Sequence, residues 1–506
     1  MKRNVVLALE LLVVLSIVLA ACAPAATTPA APVVVTQIVK ETVAPQVVTK
    51  EVQVPVTVAA PVATAAPDKV QIYWYIGLGT GAQPAQIPLE KAWVDKYNKT
   101  QGAADGIQLI PIIVDNKYAP DNLTAQIAAG NSPDIVGPVG NTGRAQFPGA
   151  FLDLTPYITK FNYNTSDIDP AFMNFYKVNG LLEALPFAIY PSALFYNKAL
   201  FDQAGLKYPP QKVGDKYNLD GKDVDWTFDT VAEVAKRLTL DKSGNDATSA
   251  KFDAKNIVQY GFTFQWVSDS PRWFTAYFEP HYPVVNNKAD ISAGQIAGMK
   301  WYYDSLFGKQ PFAPNAAAIN SDLLGKGNAF NSGKVAMGIT HLWYTCCLDD
   351  PSKGAVKSWD VGVIPSYNGK TTAKLHGDTF AIMKGTKHPD EAFKVYSYIL
   401  GAGSAELYTI YGAYPVRKAQ QADYIASLDK KYAPNKINWQ VFVDMIPFME
   451  VPSHEAGLPN ELKAEAAWTK LGSDLASTPN LNVDKRIADF VTEFNGILAA
   501  APTPTP

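Results

Sequence analysis

The sequence is poor in the residues that most often do chemistry. Three cysteines stand in 506 residues, and two of them, Cys346 and Cys347, are neighbours. The five histidines, His281, His341, His376, His388 and His454, are scattered with no metal-ligand spacing, so no metal is expected. The HExxH, GxSxG and GxxxxGK(S/T) signatures are absent, which removes the common zinc hydrolase, serine hydrolase and P-loop readings. GLGTGA at 77–82 is half a dinucleotide fingerprint. Its third glycine is one place early and no acidic residue follows where a ribose would need it. DKSGND at 241–246 hints at a calcium loop, but its glycine is at the fourth place and Phe252 stands where a bidentate glutamate belongs. A tight turn is expected there, and no cofactor is expected anywhere. Charge of one sign is also missing. The net charge of −3 gives no electrostatic case for nucleic acid or an anionic membrane.

What is present is size, apolar content and aromatic rings. A chain of 506 residues is too long for one ordinary core, so two lobes are expected. The hydrophobic fraction of 47% and charged fraction of 18% are those of a globular protein. Tyr 25, Phe 23 and Trp 10 are plentiful. On a pocket wall such rings suit flat apolar ligands or sugars that stack through their C–H faces.

The N-terminus reads as targeting. Lys2 and Arg3 precede an apolar stretch at 5–20, interrupted by Glu10 and short for a membrane span. Leu19-Ala20-Ala21-Cys22 follows and resembles a bacterial lipobox, which implies a signal peptide at 1–21, a lipidated Cys22 and anchoring to a bacterial membrane at the cell surface or in the periplasm. Residues 22–67 contain no Gly, Trp, Tyr or Phe, and Pro45, Pro55, Pro61 and Pro67 interrupt the valines and threonines. A strand here has no obvious partner, so a disordered stalk is expected, with a reach on the order of 140 Å in the polyproline II limit. The tail at 501–506 has the same composition.

From Lys69 the pattern changes. VQIYWYIG alternates as a strand does, LEKAWVDKYNK carries Leu89, Trp93, Val94 and Tyr97 at helical spacing, and IQLIPIIV reads as a second strand. LTAQIAAGN is a helix with a Gly-Asn stop, and PDIVGPVG a short strand running into a glycine loop. This alternation predicts an α/β fold with a largely parallel sheet. Ligands in such sheets bind beyond the carboxyl ends of the strands, which points to the loops at 77–81 and 137–143. WTFDTVAEVAKRLT, entered through Thr227, IAGMKWYYDSLFG and HPDEAFKVYSYILG are further helices, the last with Pro389 near its start and Gly401 at its end.

Several segments together resemble the extracellular solute-binding proteins of ABC importers, in the sugar-binding class typified by maltose-binding protein. They are AAGNSPDIV at 128–136, GAFLDLTPYI at 149–158, LPFAIYPSALFYNKALFDQAGL at 185–206, FNSGKVAMGITHLW at 330–343, WDVGVIPSYNGK at 359–370, HGDTFAIMKGTKHPDEAFKVYSYIL at 376–400, YPVRKA at 414–419 and VDKRIADFVTEFNGIL at 483–498. The resemblance runs from about residue 70 to 498 and implies a two-lobed periplasmic-binding fold of type II. By analogy one lobe is 68–186 with 367–413 and the other 187–366 with 414–500. It implies no catalysis: a monomer closes on a small solute, expected to be a carbohydrate, and docks on a membrane permease. The same fold for a polyamine, peptide or phosphate ester is the alternative. A surface glycoside hydrolase is a third reading, requiring paired carboxylates.

By the same resemblance Trp343 falls where the family places a stacking aromatic, with Tyr344 beside it. The other ligand-binding candidates are Trp74, Asn141, Arg144, Tyr190, Ser192, Trp266, Asp378, Tyr414 and Arg417. Each has a plainer reading, core packing for the rings, a loop cap for Asp378 and an ion pair for Arg417. Thr340-His341-Leu342-Trp343 departs from the family's usual Gly-Pro-Trp, and Tyr344-Thr345-Cys346-Cys347 has no counterpart in it. For Cys346 and Cys347 three readings stand: buried thiols, a vicinal disulfide beside the ligand, or a metal pair.

Overall fold

The computed structural model describes residues 41–43, 46–48, 69–168, 173, 177–178 and 180–500. The expected signal peptide, Cys22 and the tail lie outside the described residues, as does most of the expected stalk. Within the stalk, Glu41–Val43 and Gln46–Val48 pair antiparallel with each other. Strands here, with no obvious partner in the sequence, are each other's partner.

The folded unit after the stalk is built on one mixed sheet of ten strands. Val70–Ile76 runs parallel to both Ile107–Ile113 and Ile135–Val139. Helix Ile87–Lys99 covers them with Trp93, Val94 and Tyr97, while Leu89 is exposed and Glu90 is buried in its place.

The chain then makes a crossing strand, Leu185–Asn197, whose thirteen residues are all buried. Its first half pairs with Leu375–Ile382, with His376 opposite Tyr190, and with Tyr414–Pro415, with Tyr414 opposite Ile189. Its second half pairs with Val335–His341, with His341 opposite Ser192, and with Trp359–Gly362. All four pairings are antiparallel, so the sheet is mixed rather than largely parallel. The alternating strand–helix units do give parallel pairs, and Ile257–Phe264 repeats the pattern beside Val335–His341. Four of the antiparallel pairs arise because this one strand is shared between the two halves; Leu375–Ile382 also pairs antiparallel with Ile135–Val139.

Local signals set the helix ends. The Thr227 hydroxyl accepts from the Thr230 amide at 3.2 Å to open Phe228–Leu238. Ala293–Phe307 begins with a capping box between Ser292 and Gln295. Pro389–Leu400 carries Asp390 and Glu391 in its first turn and stops at Gly401. DKSGND is the expected turn, its Asp241 Oδ1 accepting from the amides of Ser243 and Asn245. Among the described residues no helix is long and apolar enough to cross a membrane.

Candidate functional site

The two glycine loops at the carboxyl ends of the first strands pack on each other. A Cβ at Gly79 would lie 2.5 Å from the Pro138 carbonyl, and one at Gly143 would lie 3.1 Å from that of Leu78. Only bare backbone allows this approach. The first loop is fastened by Gln86, whose Oε1 accepts from the Gly81 amide and whose Nε2 donates to Thr80 and to the Ile410 carbonyl.

Val335–His341 ends in the short helical turn Leu342–Cys346. Trp343 leaves this turn half-buried. Its ring lies parallel to that of Trp266, with centroids 5.9 Å apart, and to that of His341 at 5.7 Å. Trp266 has φ +58°, a left-handed conformation rare for a bulky side chain. Its indole Nε1 donates to the Gly327 carbonyl at 2.9 Å, and it too is half-buried. Two half-buried tryptophans thus stand stacked just beyond the ends of neighbouring parallel strands.

Cys346 and Cys347 are joined to each other by a disulfide. Hydrogen bonds hold the turn around it. Asn328 Nδ2 donates to the Cys347 carbonyl at 2.9 Å, and the Tyr432 hydroxyl donates to that of Thr345 at 2.7 Å, where Lys431 also reaches. Gly412, at φ +62°, lets the helix Ser404–Tyr411 end against Trp343; a Cβ there would lie 2.6 Å from the Trp343 carbonyl.

Below the tryptophans lies a buried polar floor. Asp378 is raised to about 7 by burial and the neighbouring Glu455, with the Tyr190 hydroxyl opposing. Burial lowers Lys374 to about 8 and raises Glu450 to about 8, against their mutual attraction. His341, His376 and His454 converge here, although they are 35 and 78 residues apart in sequence. The expectation that the histidines are scattered is corrected in space.

A family model described as bacterial extracellular solute-binding protein matches residues 88–406. The chain belongs to that family. Solved structures share the fold at low identity. A substrate-binding protein of Listeria monocytogenes in complex with cycloalternan has 18% identity and a TM-score of 0.66, with 85% of this chain and 100% of that one covered. A solute-binding protein of Thermotoga lettingae bound with α-D-tagatose has 19% identity and a TM-score of 0.64, with 85% and 99% covered. UgpB of Mycobacterium tuberculosis in complex with glycerophosphocholine has 16% identity and a TM-score of 0.62, with 85% and 98% covered. Curated proteins give no match. The fold is therefore the two-lobed α/β type that the sequence motifs resemble.

Within this family fold the candidates divide. Trp266 and Trp343 meet. Asp378 and Tyr190 form part of the floor, and Asn141 opens the short helix Asn141–Ala145 beside the second glycine loop. Ser192 is fully buried, its hydroxyl accepting from the Lys374 amide at 2.8 Å. Trp74 is core: its Nε1 donates to the Gly137 carbonyl at 2.7 Å and its ring packs on Trp93 and Phe380. Tyr344 is core as well, its hydroxyl bonded to Asn328 and the Asn331 amide. Arg144 is buried, facing Glu183 at 3.9 Å and the Phe151 ring. Arg417 pairs with Asp167 and donates to the Tyr163 hydroxyl at 2.8 Å, which makes it a structural clamp. Tyr414 is buried in its strand pair, edge-on to Tyr424.

Sequence reading passed over His341, His376, His454, Glu450, Glu455 and Lys374. The fragments THLW, KLHGD and EVPSHE hold them; the crossing-strand register brings the first two together, and side-chain contacts of His376 with His454 and Glu455 bring in the third.

Proposed function

We propose that this chain is the extracytoplasmic substrate-binding component of an ABC importer, and that its solute is a carbohydrate of oligosaccharide size. Residues 68–186 with 367–413 form one lobe and 187–366 with 414–500 the other. Solute held between them favours the closed arrangement by its differential affinity, and the closed form docks on the membrane permease. Cys22 carries the lipid that keeps the protein at the membrane.

The observation that carries the carbohydrate reading is the half-buried Trp266–Trp343 pair beside a floor of carboxyl, hydroxyl and imidazole groups. Partly exposed indole rings suit the C–H side of a sugar, and planar polar groups suit its hydroxyls. The relatives that hold cycloalternan and tagatose support the same class.

A glycerophosphodiester is the second reading, favoured by the relative that holds glycerophosphocholine. It is weaker because Arg144 and Arg417 are both occupied by carboxylates. Asp378 and Glu455 both border Gly140, but Glu455 is taken by His376 at 3.0 Å, and the reading is capture without bond cleavage. Calorimetric titration with a panel of oligosaccharides, monosaccharides and glycerophosphocholine, followed by product analysis, tests it. Saturable binding of one sugar class with no hydrolysis is expected. Binding of glycerophosphocholine alone, or release of cleaved sugar, contradicts it.

A further inference from the structure

The buried floor has a feature that solute binding does not explain. His376 lies on the strand Leu375–Ile382, and His454 and Glu455 lie on the loop before the helix Glu461–Ser477. The Nε2 atoms of His376 and His454 face each other at 3.3 Å. One donor atom from each of His376, His454 and Glu455 can be chosen so that all lie within 4.8 Å of one another. His454 and Glu455 are 4% exposed.

The outer nitrogen of each ring is engaged. His376 Nδ1 lies 3.0 Å from Glu455 Oε1, and His454 Nδ1 meets Glu450 Oε1. An imidazole that donates Nδ1–H to a carboxylate carries a lone pair on Nε2. Nitrogens at this separation share either a proton or a cation between them. Metal–nitrogen bonds of about 2.0–2.1 Å at a tetrahedral angle place two ligand nitrogens about 3.3–3.4 Å apart, which is the separation seen. The carboxylates behind the rings are the usual partners that orient metal-bound histidines.

Two further groups are aimed at the same place. His341 is fully buried, neither of its ring nitrogens has a hydrogen-bond partner, and its ring meets that of His376 edge to face at 4.2 Å. Glu455 Oε2 is buried without a partner.

We propose that His376 Nε2 and His454 Nε2 bind a divalent transition-metal ion of the zinc class, with Glu455 orienting His376, Glu450 orienting His454 and His341 standing beside the ion. Imidazole nitrogens suit zinc rather than magnesium or calcium, which take oxygen ligands. The ion ties the loop at 450–455 to the strand that carries His376. This site does not depend on which solute the cleft takes.

The test uses the purified chain after dialysis against chelator. Titration with Co2+ is followed by visible absorption and titration with Zn2+ by calorimetry. One equivalent of each, the intense d–d bands of a tetrahedral cobalt site and a higher Tm with Zn2+ are expected. His454→Gln and Glu455→Gln should each weaken Zn2+ binding at least tenfold, and His376→Ala should remove the cobalt bands. Circular dichroism confirms that the variants are folded, and any one folded variant suffices. The Cys346→Ser/Cys347→Ser variant should bind as the parent does. Absence of saturable binding, bands that persist in the folded histidine variants, or bands lost only with the cysteines would overturn the proposal. Sugar titration run in parallel keeps a failure here distinct from a failure of the solute reading.

Discussion

Trp343 lies nearly parallel to both Trp266 and His341, with interplanar angles of 10° and 18°. His341 in turn meets His376 edge to face, and His376 meets His454 in the same way. A continuous run of five rings therefore leads from half-open tryptophan surface down to the buried junction of the crossing strands. Its upper end is suited to a solute. Its lower end belongs to the histidine and carboxylate cluster.

Glu90 makes stability depend on pH. Burial raises its carboxyl from 4.5 to about 8, with the Tyr411 hydroxyl working against the shift. Below about pH 4.5 it is protonated in both folded and unfolded chains. Between there and about pH 8 the unfolded chain releases the proton while the folded one retains it, so this group costs stability as pH rises. Above about pH 8 the cost is constant, on the order of a few kcal/mol. Glu90→Gln should equal the parent in acid and exceed its Tm increasingly up to about pH 8. Parallel curves for the two proteins across that window would contradict this.

Gly261 sets how closely the helix Phe228–Leu238 lies on the strand Ile257–Phe264. A Cβ there would sit 2.0 Å from the Ala235 carbonyl oxygen. Backbone cannot step aside as a flexible side chain can. Gly261→Ala should destabilise by about 1–3 kcal/mol or more, read by denaturant unfolding. An unchanged midpoint would mean that the helix and strand are not so closely packed.

Arg417 should matter for stability and not for solute affinity. Its guanidinium is shared among Asp167, Tyr163 and the carbonyls of Asn164 and Leu400. Arg417→Ala should lower Tm by several degrees and leave the solute Kd within about twofold. The opposite pattern, normal Tm with lost affinity, would return Arg417 to the ligand site.

Cys346 and Cys347 should carry no free thiol in the oxidised protein. Alkylation under denaturing conditions should label neither residue until a reductant is added, and then both. Mass spectrometry of the peptide that spans the turn reads this directly. Labelling before reduction would mean that the pair is not bonded.

The fold was legible where local pattern and tertiary role agree. Val70–Ile76, Ile107–Ile113 and Pro389–Leu400 follow from alternation, helical spacing and caps. Glu90 defeated the helical pattern by taking the buried place expected of Leu89, because Gly81 and Tyr411 surround it. Trp74 and Tyr344 look like site residues in sequence, yet a buried Trp or Tyr that finds a hydrogen-bond acceptor is an ordinary core residue. The histidine cluster was illegible for a different reason. Two of its members are joined by strand register, His341 opposite Ser192 and His376 opposite Tyr190, and the loop that carries His454 packs on them from far along the chain; neither is written in any one segment.

The most direct test of the central claim is calorimetric titration of oligosaccharides into the parent protein and into Trp343→Ala. Trp343 is half-buried and the Trp266 indole is anchored separately at Gly327, so the variant should fold with nearly the parent Tm. The account predicts saturable binding of one sugar class to the parent and at least tenfold weaker binding to the variant. Equal affinity in the two proteins, or a parent that binds glycerophosphocholine and no sugar, would contradict it.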